Sequence, residues 1–247
     1  HKLQQIDSHP GEVIAALPES DSAQKEFGRL LLTHLTVHHG QRYSTDGHNL
    51  STRDGRLQWP LPATDLESCS LWIQEDICLL QAVNDEYILT AASVCSPSNW
   101  RLSDKIGKAL GAIHDPVPGY RDILHSRTNR LLNKLNKDKV IFRYNWSVQA
   151  GNELCWRPDL YATQEPAELY WRVERQTLRR LPETGAIVFG IRIFLESFTR
   201  LESRQPGFTA TLREIIEHLP EAQRRYKGLD VLLERPEFSA IILRNST

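Results

Sequence analysis

Apolar, β-prone runs in the middle of the chain predict five β-strands. Two apolar, β-prone runs are separated by the turn-forming pair Asn84-Asp85, which predicts a hairpin of strands 73–82 and 86–95. Further strands are predicted at 140–148, 168–178 and 186–194. The segment LPETG between the last two is typical of a turn, so we expect these two strands to pair as an antiparallel hairpin.

Apolar residues at helical spacing predict helices before, between and after these strands. The predicted helices are 22–39, 104–113, 120–136, 208–218 and 220–235. Pro116 prevents the second helix from continuing beyond His114, because proline cannot extend a helix. Little periodicity over 1–20 predicts a loose N-terminal arm. Residues 40–70 are rich in Gly, Ser, Thr, Asp and Pro, which predicts a long surface connection.

The order of these elements predicts an α+β fold. Two strands, a helical crossover and a three-strand meander favour a five-stranded antiparallel sheet with helices on one face. We expect an N-terminal arm, helix and loop over 1–70, a core over 71–200 and a C-terminal helical extension over 201–247, all within one compact domain.

Composition and charge argue against several classes of function. The 247 residues carry a formal net charge of −1, which does not favour binding to nucleic acid or to an anionic membrane. No apolar run approaches the ~20 residues that cross a bilayer. The four cysteines form no CxxC pair, so neither a zinc ribbon nor a cysteine-ligated cluster is indicated. Scattered thiols suit a reducing compartment, and we expect a cytoplasmic protein.

The stretch GAIHDPVPGY (111–120) places His114 at a predicted helix end. One interpretation is a histidine that caps a carbonyl and is favoured by the helix dipole. The other is an axial metal ligand, held at a fixed angle by the stiff proline-rich backbone that follows. The residues alone leave both interpretations open.

The remaining motif searches are negative or weak. His34, His38 and His39 include an i, i+4 pair, but no further ligand is suitably spaced, which favours a solvated helix end. There is no HExxH, GxSxG, GxxxxGK[ST] or GxGxxG motif, so zinc-protease, hydrolase, P-loop and dinucleotide-binding functions lack support.

Charged residues interrupt the last two predicted strands. Glu174 and Arg175 are neighbours in a strand and therefore point to opposite faces, so one of them is directed inwards unless both are exposed. Arg192 interrupts the apolar run AIVFGIRIF, either as an edge arginine that reaches water or as one aimed into a pocket towards an anion or polarised oxygen. Gly190 shares its face and would let a ligand approach the sheet, which favours the pocket.

Several long stretches resemble one known family. They are WIQEDICLL (72–80), PSNWRLSDKIGKALGAIHDPVPGY (97–120), RYNWSV (143–148), VERQTLRRLPETGAIVFGIRIF (173–194) and YKG (226–228). Through them the chain resembles the haem-dependent oxidative N-demethylase alpha-subunit family. The N-terminal arm and the 40–70 segment match this family poorly.

The resemblance implies a PAS-like fold that holds haem b, with His114 as the axial ligand of the haem iron. It implies further haem contacts from Pro116, Tyr120, Asn145 and Gly190, and catalytic candidates in Glu174, Arg175 and Arg192. The implied activity is oxidative demethylation of a small secondary amine such as dimethylamine, with dioxygen activated at the haem. Electrons would come from FMN and 2Fe-2S cofactors on separate reductase-type subunits, since neither has a binding motif in this chain.

Two alternatives remain beside this implied activity. The family's last strand often carries Thr and Tyr where this chain has Gly190 and Phe194, which slightly favours a non-catalytic haem-PAS module that binds or senses a gas. No signalling output domain or coiled-coil linker is attached, which favours the enzyme. A family member that has lost haem is disfavoured by the intact IHDPVPGY stretch.

Overall fold

The computed structural model describes residues 1–157 and 168–233, and in these ranges the chain forms two antiparallel sheets. The strands are β1 (Ile14–Ala16), β2 (Tyr43–Thr45), β3 (Asn49–Thr52), β4 (Gln58–Pro60), β5 (Asp76–Val83), β6 (Glu86–Ser93), β7 (Val140–Ala150), β8 (Leu169–Arg180) and β9 (Ile187–Ser197). The large sheet has the order β1-β6-β5-β9-β8-β7, and β2, β3 and β4 form the small sheet.

Helices precede, separate and follow these strands. They are α1 (Lys2–Ser8), α2 (Asp21–His38), α3 (Leu66–Ser70), α4 (Leu110–Ile113), α5 (His125–Asn133), α6 (Phe198–Arg204), α7 (Phe208–His218), α8 (Glu221–Tyr226) and α9 (Leu229–Leu233). Single turns of 3-10 helix lie at Pro18–Ser20 and Leu102–Asp104, and a π-helical turn at Tyr120–Leu124 leads into α5.

The two predicted hairpins are confirmed. Asn84 and Asp85 have φ of 50° and 65°, the left-handed conformation that a tight two-residue hairpin turn requires at both central positions. The turn between β8 and β9 is held by Glu26 of α2, which is buried. Its carboxylate accepts hydrogen bonds from the backbone N–H groups of Glu183 and Thr184 at 2.7 and 2.8 Å.

Helices cover both faces of the large sheet, so the prediction of helices on one face is wrong. The crossover face is the face on which Cys78, Leu80 and Phe189 pack against α4 and α5. The outer face carries Ile77 and its same-side neighbours, which pack against α2 and the small sheet. The apolar side of α2 must be buried against another element, and it packs on the part of the outer face formed by β5 and β9. The α+β class is confirmed.

Three local predictions are also wrong. Only Leu110–Ile113 of the predicted helix 104–113 is α-helical, because Gly107 takes a left-handed φ of 76° and Ala109 forms a bridge with Ile88. Residues 1–20 are not a loose arm, since β1 adds a sixth strand beside β6. The segment 40–70 is not a surface connection, since it contains the small sheet and α3. Strands of three or four residues show too little periodicity to be recognised.

The C-terminal helices cover the far end of the outer face. Residues of α6, α7 and α9 form a cluster with Leu169 and Trp171, which both belong to that face. The predicted helix 220–235 is divided at Gly228, where φ is 65°, and its predicted end lies outside the described residues. The helix α6 is an addition to the predicted elements.

Candidate functional site

Two successive tight turns present His114. The N–H of Val117 donates to the His114 carbonyl oxygen at 2.8 Å, and the N–H of Tyr120 donates to the Val117 carbonyl oxygen at 3.0 Å. Pro116 is exposed in the first turn, and Gly119 supplies a left-handed φ of 72° in the second. The chain therefore folds back, and the Tyr120 ring stacks on the imidazole at 4.7 Å between ring centres.

The hydrogen bonding of His114 determines which nitrogen is free to bind a ligand. Its Nδ1 lies 2.9 Å from the Leu110 carbonyl oxygen, so Nδ1 carries the proton and donates it. The Nε2 atom then keeps its lone pair, as in imidazoles that bind metal ions. Burial lowers the pKa of His114 below 6.5, and the positive charges of Arg143 and Lys105 add to this, while the Leu110 carbonyl opposes it. The ring is therefore neutral near pH 7.

His125 also contacts the Tyr120 ring, but unlike His114 its Nε2 atom has hydrogen-bonding partners. Its Nε2 lies 3.1 Å from a carboxylate oxygen of Glu86 and 3.3 Å from the Asn129 amide nitrogen. The Tyr120 ring contacts both histidine rings. Because its Nε2 is already engaged, His125 is the less suitable ligand.

The crossover face carries a set of linked polar side chains, which we call the polar cluster. Its members are Arg143, Asn145, Arg172, Glu174 and Gln176. Gln176 donates to the Glu174 carboxylate at 2.9 Å and accepts from the Nε of Arg143 at 2.7 Å. Asn145, directly opposite Glu174 on β7, donates to the same carboxylate at 3.4 Å. Both of these hydrogen bonds go to the same carboxylate oxygen, Oε2 of Glu174.

Arg172 links this cluster to two loops. Its side chain is fully buried and donates to the carbonyl oxygens of Ser96 and Leu154 and to the side-chain oxygen of Gln149. Its Nε also lies 3.4 Å from Glu174. Burial lowers the pKa of Arg172 and the Glu174 carboxylate opposes that shift. Sequence reasoning did not select this residue, although strand alternation does place it on the Glu174 face.

Lys227, the residue that follows α8, also contacts this cluster. Its Nζ donates to the Trp146 carbonyl oxygen at 2.6 Å and to the Asn145 side-chain oxygen at 3.2 Å. It also lies 5.3 Å from the centre of the Trp146 ring. Sequence reasoning selected no residue here, and the only signal was the short YKG match.

Arg175 and Arg192 lie on the outer face. They are direct partners across β8 and β9, and the Glu75 carboxylate lies 3.6 Å from the first and 3.9 Å from the second. Gly190 shares this face, and a Cβ there would lie only 2.8 Å from the hydroxyl of Thr177. The missing side chain therefore accommodates Thr177.

The structure thus divides the predicted site residues into two groups. His114, Tyr120, Asn145 and Glu174 belong to the crossover face and its helical layer. The outer face carries Arg175, Arg192 and Gly190. Strand alternation already separated Glu174 from Arg175, and the packing of α4 and α5 shows which of them shares a face with the layer of His114.

Other potential ligands do not form a metal site in the described part of the chain. Within residues 1–157 and 168–233, no three His, Cys, Asp or Glu side chains are arranged to hold a metal ion, although the rings of His34, His38 and His39 are in contact. The four cysteines are free and buried, and burial raises the pKa of Cys78 to about 12. In the same ranges, no helix has the length and apolar character needed to cross a membrane.

Comparison with known protein families gives a match over residues 1–235 to the family described as haem-dependent oxidative N-demethylase, alpha subunit-like. The chain belongs to this family. The match extends over the N-terminal residues and the 40–70 segment. The family description supports haem dependence, an oxidative N-demethylase function and a place in a multi-subunit assembly.

Proposed function

We propose that this chain binds haem b through the Nε2 atom of His114 and removes a methyl group from a small secondary amine, with dimethylamine as the simplest substrate. The observation that carries this proposal is the hydrogen bond from His114 Nδ1 to Leu110 at 2.9 Å, which leaves a neutral Nε2 as a ligand. The bound haem would supply dioxygen activation. The electrons would come through FMN and 2Fe-2S cofactors on partner subunits.

The residues present fit haem in two respects. The nitrogen donor of His114 is oriented by a backbone carbonyl and by the stacked Tyr120 ring, as expected of a histidine that binds iron. The polar cluster presents cations to a ligand that itself carries carboxylates. The strand arrangement supports a PAS-like architecture, because the first strand of the core, β5, lies beside the last, β9, and the crossover helices cover one face.

We assign the binding of the amine to Glu174. Its carboxylate lies in the polar cluster with only 14% of the side chain exposed, so it is largely shielded from water. A secondary ammonium group would donate its N–H to this carboxylate, which would be held in place by Gln176 and Asn145 at Oε2 and by Arg172 at Oε1. Because Arg175 and Arg192 lie on the outer face, the proposal gives them no contact with the amine.

The proposed reaction balances for a dimethylated amine. The amine, dioxygen, two electrons and two protons give the shorter amine, formaldehyde and water. One methyl carbon is oxidised and its bond to nitrogen breaks, while dioxygen is reduced. The chain's own contribution is to orient the amine nitrogen at Glu174 and to hold the haem ligand at His114.

The sensing alternative rests on the absence of hydroxyl groups at Gly190 and Phe194. The sheet register pairs these residues with Thr177 and Val173, so both belong to the outer face. Hydroxyls at these positions would therefore not lie beside Glu174. This placement weakens the argument for a sensor and favours the enzyme.

The decisive test of haem ligation compares two histidine variants. We expect His114→Ala to lose the Soret band of haem-reconstituted protein, while the matched control His125→Ala keeps it, because of these two rings it is His114 that has a free Nε2. Full haem loading of His114→Ala, with an unchanged spectrum, would refute the assignment.

A second experiment separates the enzyme from the sensor. Haem-loaded protein is mixed with dimethylamine, a chemical reductant and dioxygen, and formaldehyde is measured. We expect formaldehyde from the wild type and much less from Glu174→Gln, which should bind haem normally but lose the amine-induced spectral shift. Haem binding without formaldehyde in the wild type would favour the sensor.

A further inference from the structure

The charges on the crossover face do not balance. Arg143, Arg172 and Lys227 are the cations of this region, and Glu174 is the carboxylate held among them. Arg172 is paired with Glu174. The deeper Asp76 accepts hydrogen bonds from two backbone N–H groups and lies near the ammonium group of Lys2 and near Arg172. Asp76 and Lys2 therefore add one carboxylate and one cation, which leaves the balance unchanged. Arg143 and Lys227 remain as two cations in excess.

The two terminal nitrogens of the Arg143 guanidinium group are available to bind a ligand. Only its Nε is bound, to Gln176, and its two terminal nitrogens donate to none of the residues in the described ranges. Its side chain is exposed, and its charge acts on both His114 and Tyr120. Arg143 is therefore a cation of the cluster whose charge reaches the proposed iron ligand.

Lys227 is similar in charge and in position. Two of its three N–H donors are used by Trp146 and Asn145, which leaves one donor for a ligand. Burial lowers the pKa of Lys227, the Glu174 carboxylate opposes this, and Arg143 adds to the decrease, so the two cations are close enough to repel each other. Two cations held near each other, beside a carboxylate that is already paired with Arg172, indicate a site for an anion with two charged groups.

We propose that Arg143 and Lys227 bind the two propionate carboxylates of the haem, an inference that rests on the proposed function. Haem is the ligand of that function that carries two carboxylates, and arginine and lysine bind carboxylates by charge-assisted hydrogen bonds. The pairing also has a consequence for the amine. Once the propionates neutralise both cations, the field at Glu174 becomes favourable for an ammonium group, so haem binding prepares the amine site.

The test uses two porphyrins that differ only in these carboxylates. Apoprotein is titrated with haem and with haem dimethyl ester, in which both propionates are esterified and uncharged, and affinity is read from tryptophan quenching and the Soret band. We expect Arg143→Met and Lys227→Met each to weaken haem binding by tenfold or more and to leave binding of the ester within twofold of wild type. The control Arg175→Met, on the outer face, should leave both affinities unchanged.

The outcomes separate this inference from the function on which it rests. Equal loss of affinity for haem and ester in the two variants would overturn it, because that result means a packing role. Equally tight binding of both porphyrins by the wild type would also overturn it, while the haem function would stand. Binding of neither porphyrin would refute the proposed function itself. Lys227→Arg should restore haem binding, since it keeps the charge.

Discussion

Replacement of Arg172 by alanine should destabilise the protein far more than the same replacement of Arg175, which lies on the same strand. The two arginines are three positions apart on β8, and their side chains lie on opposite faces of the sheet. Arg172 is completely buried on the crossover face, whereas the side chain of Arg175 is 43% exposed on the outer face. The comparison therefore tests the assignment of faces with the same substitution on the same strand.

The expected magnitude follows from the groups that each variant leaves behind. Arg172→Ala leaves two carbonyl oxygens and the Gln149 side-chain oxygen without their donor, and it leaves Glu174 without its nearest cation. A buried polar group that loses its partner costs about 1–3 kcal/mol, and the removal of one member of a buried ion pair costs about 3–5 kcal/mol. These costs are not additive, so we expect a loss of about 3–5 kcal/mol.

Arg175→Ala should cost less than about 1 kcal/mol, because the ion pair that it breaks is partly exposed to solvent. Its partner Glu75 lies 3.6 Å away and keeps Arg192 nearby. Arg172→Lys should fall between the two alanine variants, since it keeps the charge but cannot reach all the acceptors with one nitrogen.

Equilibrium unfolding in urea, followed by circular dichroism on apoprotein at pH 7, measures these differences in the free energy of unfolding. The slopes of the transitions must agree between variants for the midpoints to be compared. Equal losses for the two alanine variants, or a larger loss for Arg175→Ala, would refute the assignment of Arg172 to the buried face.

Three further predictions concern the outer face, the turn between β8 and β9, and the proposed iron ligand. Gly190→Ala should lower stability by about 1–3 kcal/mol, because its methyl group would meet the Thr177 hydroxyl, and adding Thr177→Ala should recover part of the loss in thermal unfolding; no recovery would contradict the contact. Glu26→Gln should cost about 1–3 kcal/mol by weakening the bonds to the turn, whereas the exposed Glu183→Gln should be close to neutral, and equal costs would contradict this. Because burial lowers the folded-state pKa of His114 from its ordinary value of 6.5, its Nε2 is protonated at a lower pH than in an exposed histidine, so a Soret titration should show haem release below 6.5; release above 6.5 would contradict the neutral ligand.

Much of the core architecture could be predicted from local sequence. The hairpin at Asn84-Asp85 was recognisable because left-handed backbone at two successive positions favours these residue types. Helix α2 was recognisable from its apolar spacing, and its observed bounds, Asp21–His38, differ by one residue at each end from the predicted 22–39. Strand alternation separated Glu174 from Arg175 before any fold was known.

The helix predicted over 104–113 shows where local pattern is insufficient. Its apolar residues do have helical spacing, but Gly107 turns the chain and Ala109 pairs with Ile88, so only the last turn is helical. The short strands of the first sixty residues were missed for a related reason. The partner of β1 is β6, which lies far along the chain. The strands β2, β3 and β4 pair with one another, but three or four residues show too little periodicity to be recognised.

The sequence by itself determined which residues share a face of each strand, because side chains alternate with a period of two whatever surrounds them. It also determined the stiff backbone that follows His114, because each proline ring fixes its own φ. Only the tertiary structure decided that the Glu174 face meets the layer of His114, that Arg172 is buried beneath two loops, and that Lys227 reaches β7 from the C-terminal helices. These outcomes depend on which layer packs on which face, and that choice is made by contacts between residues distant in the chain.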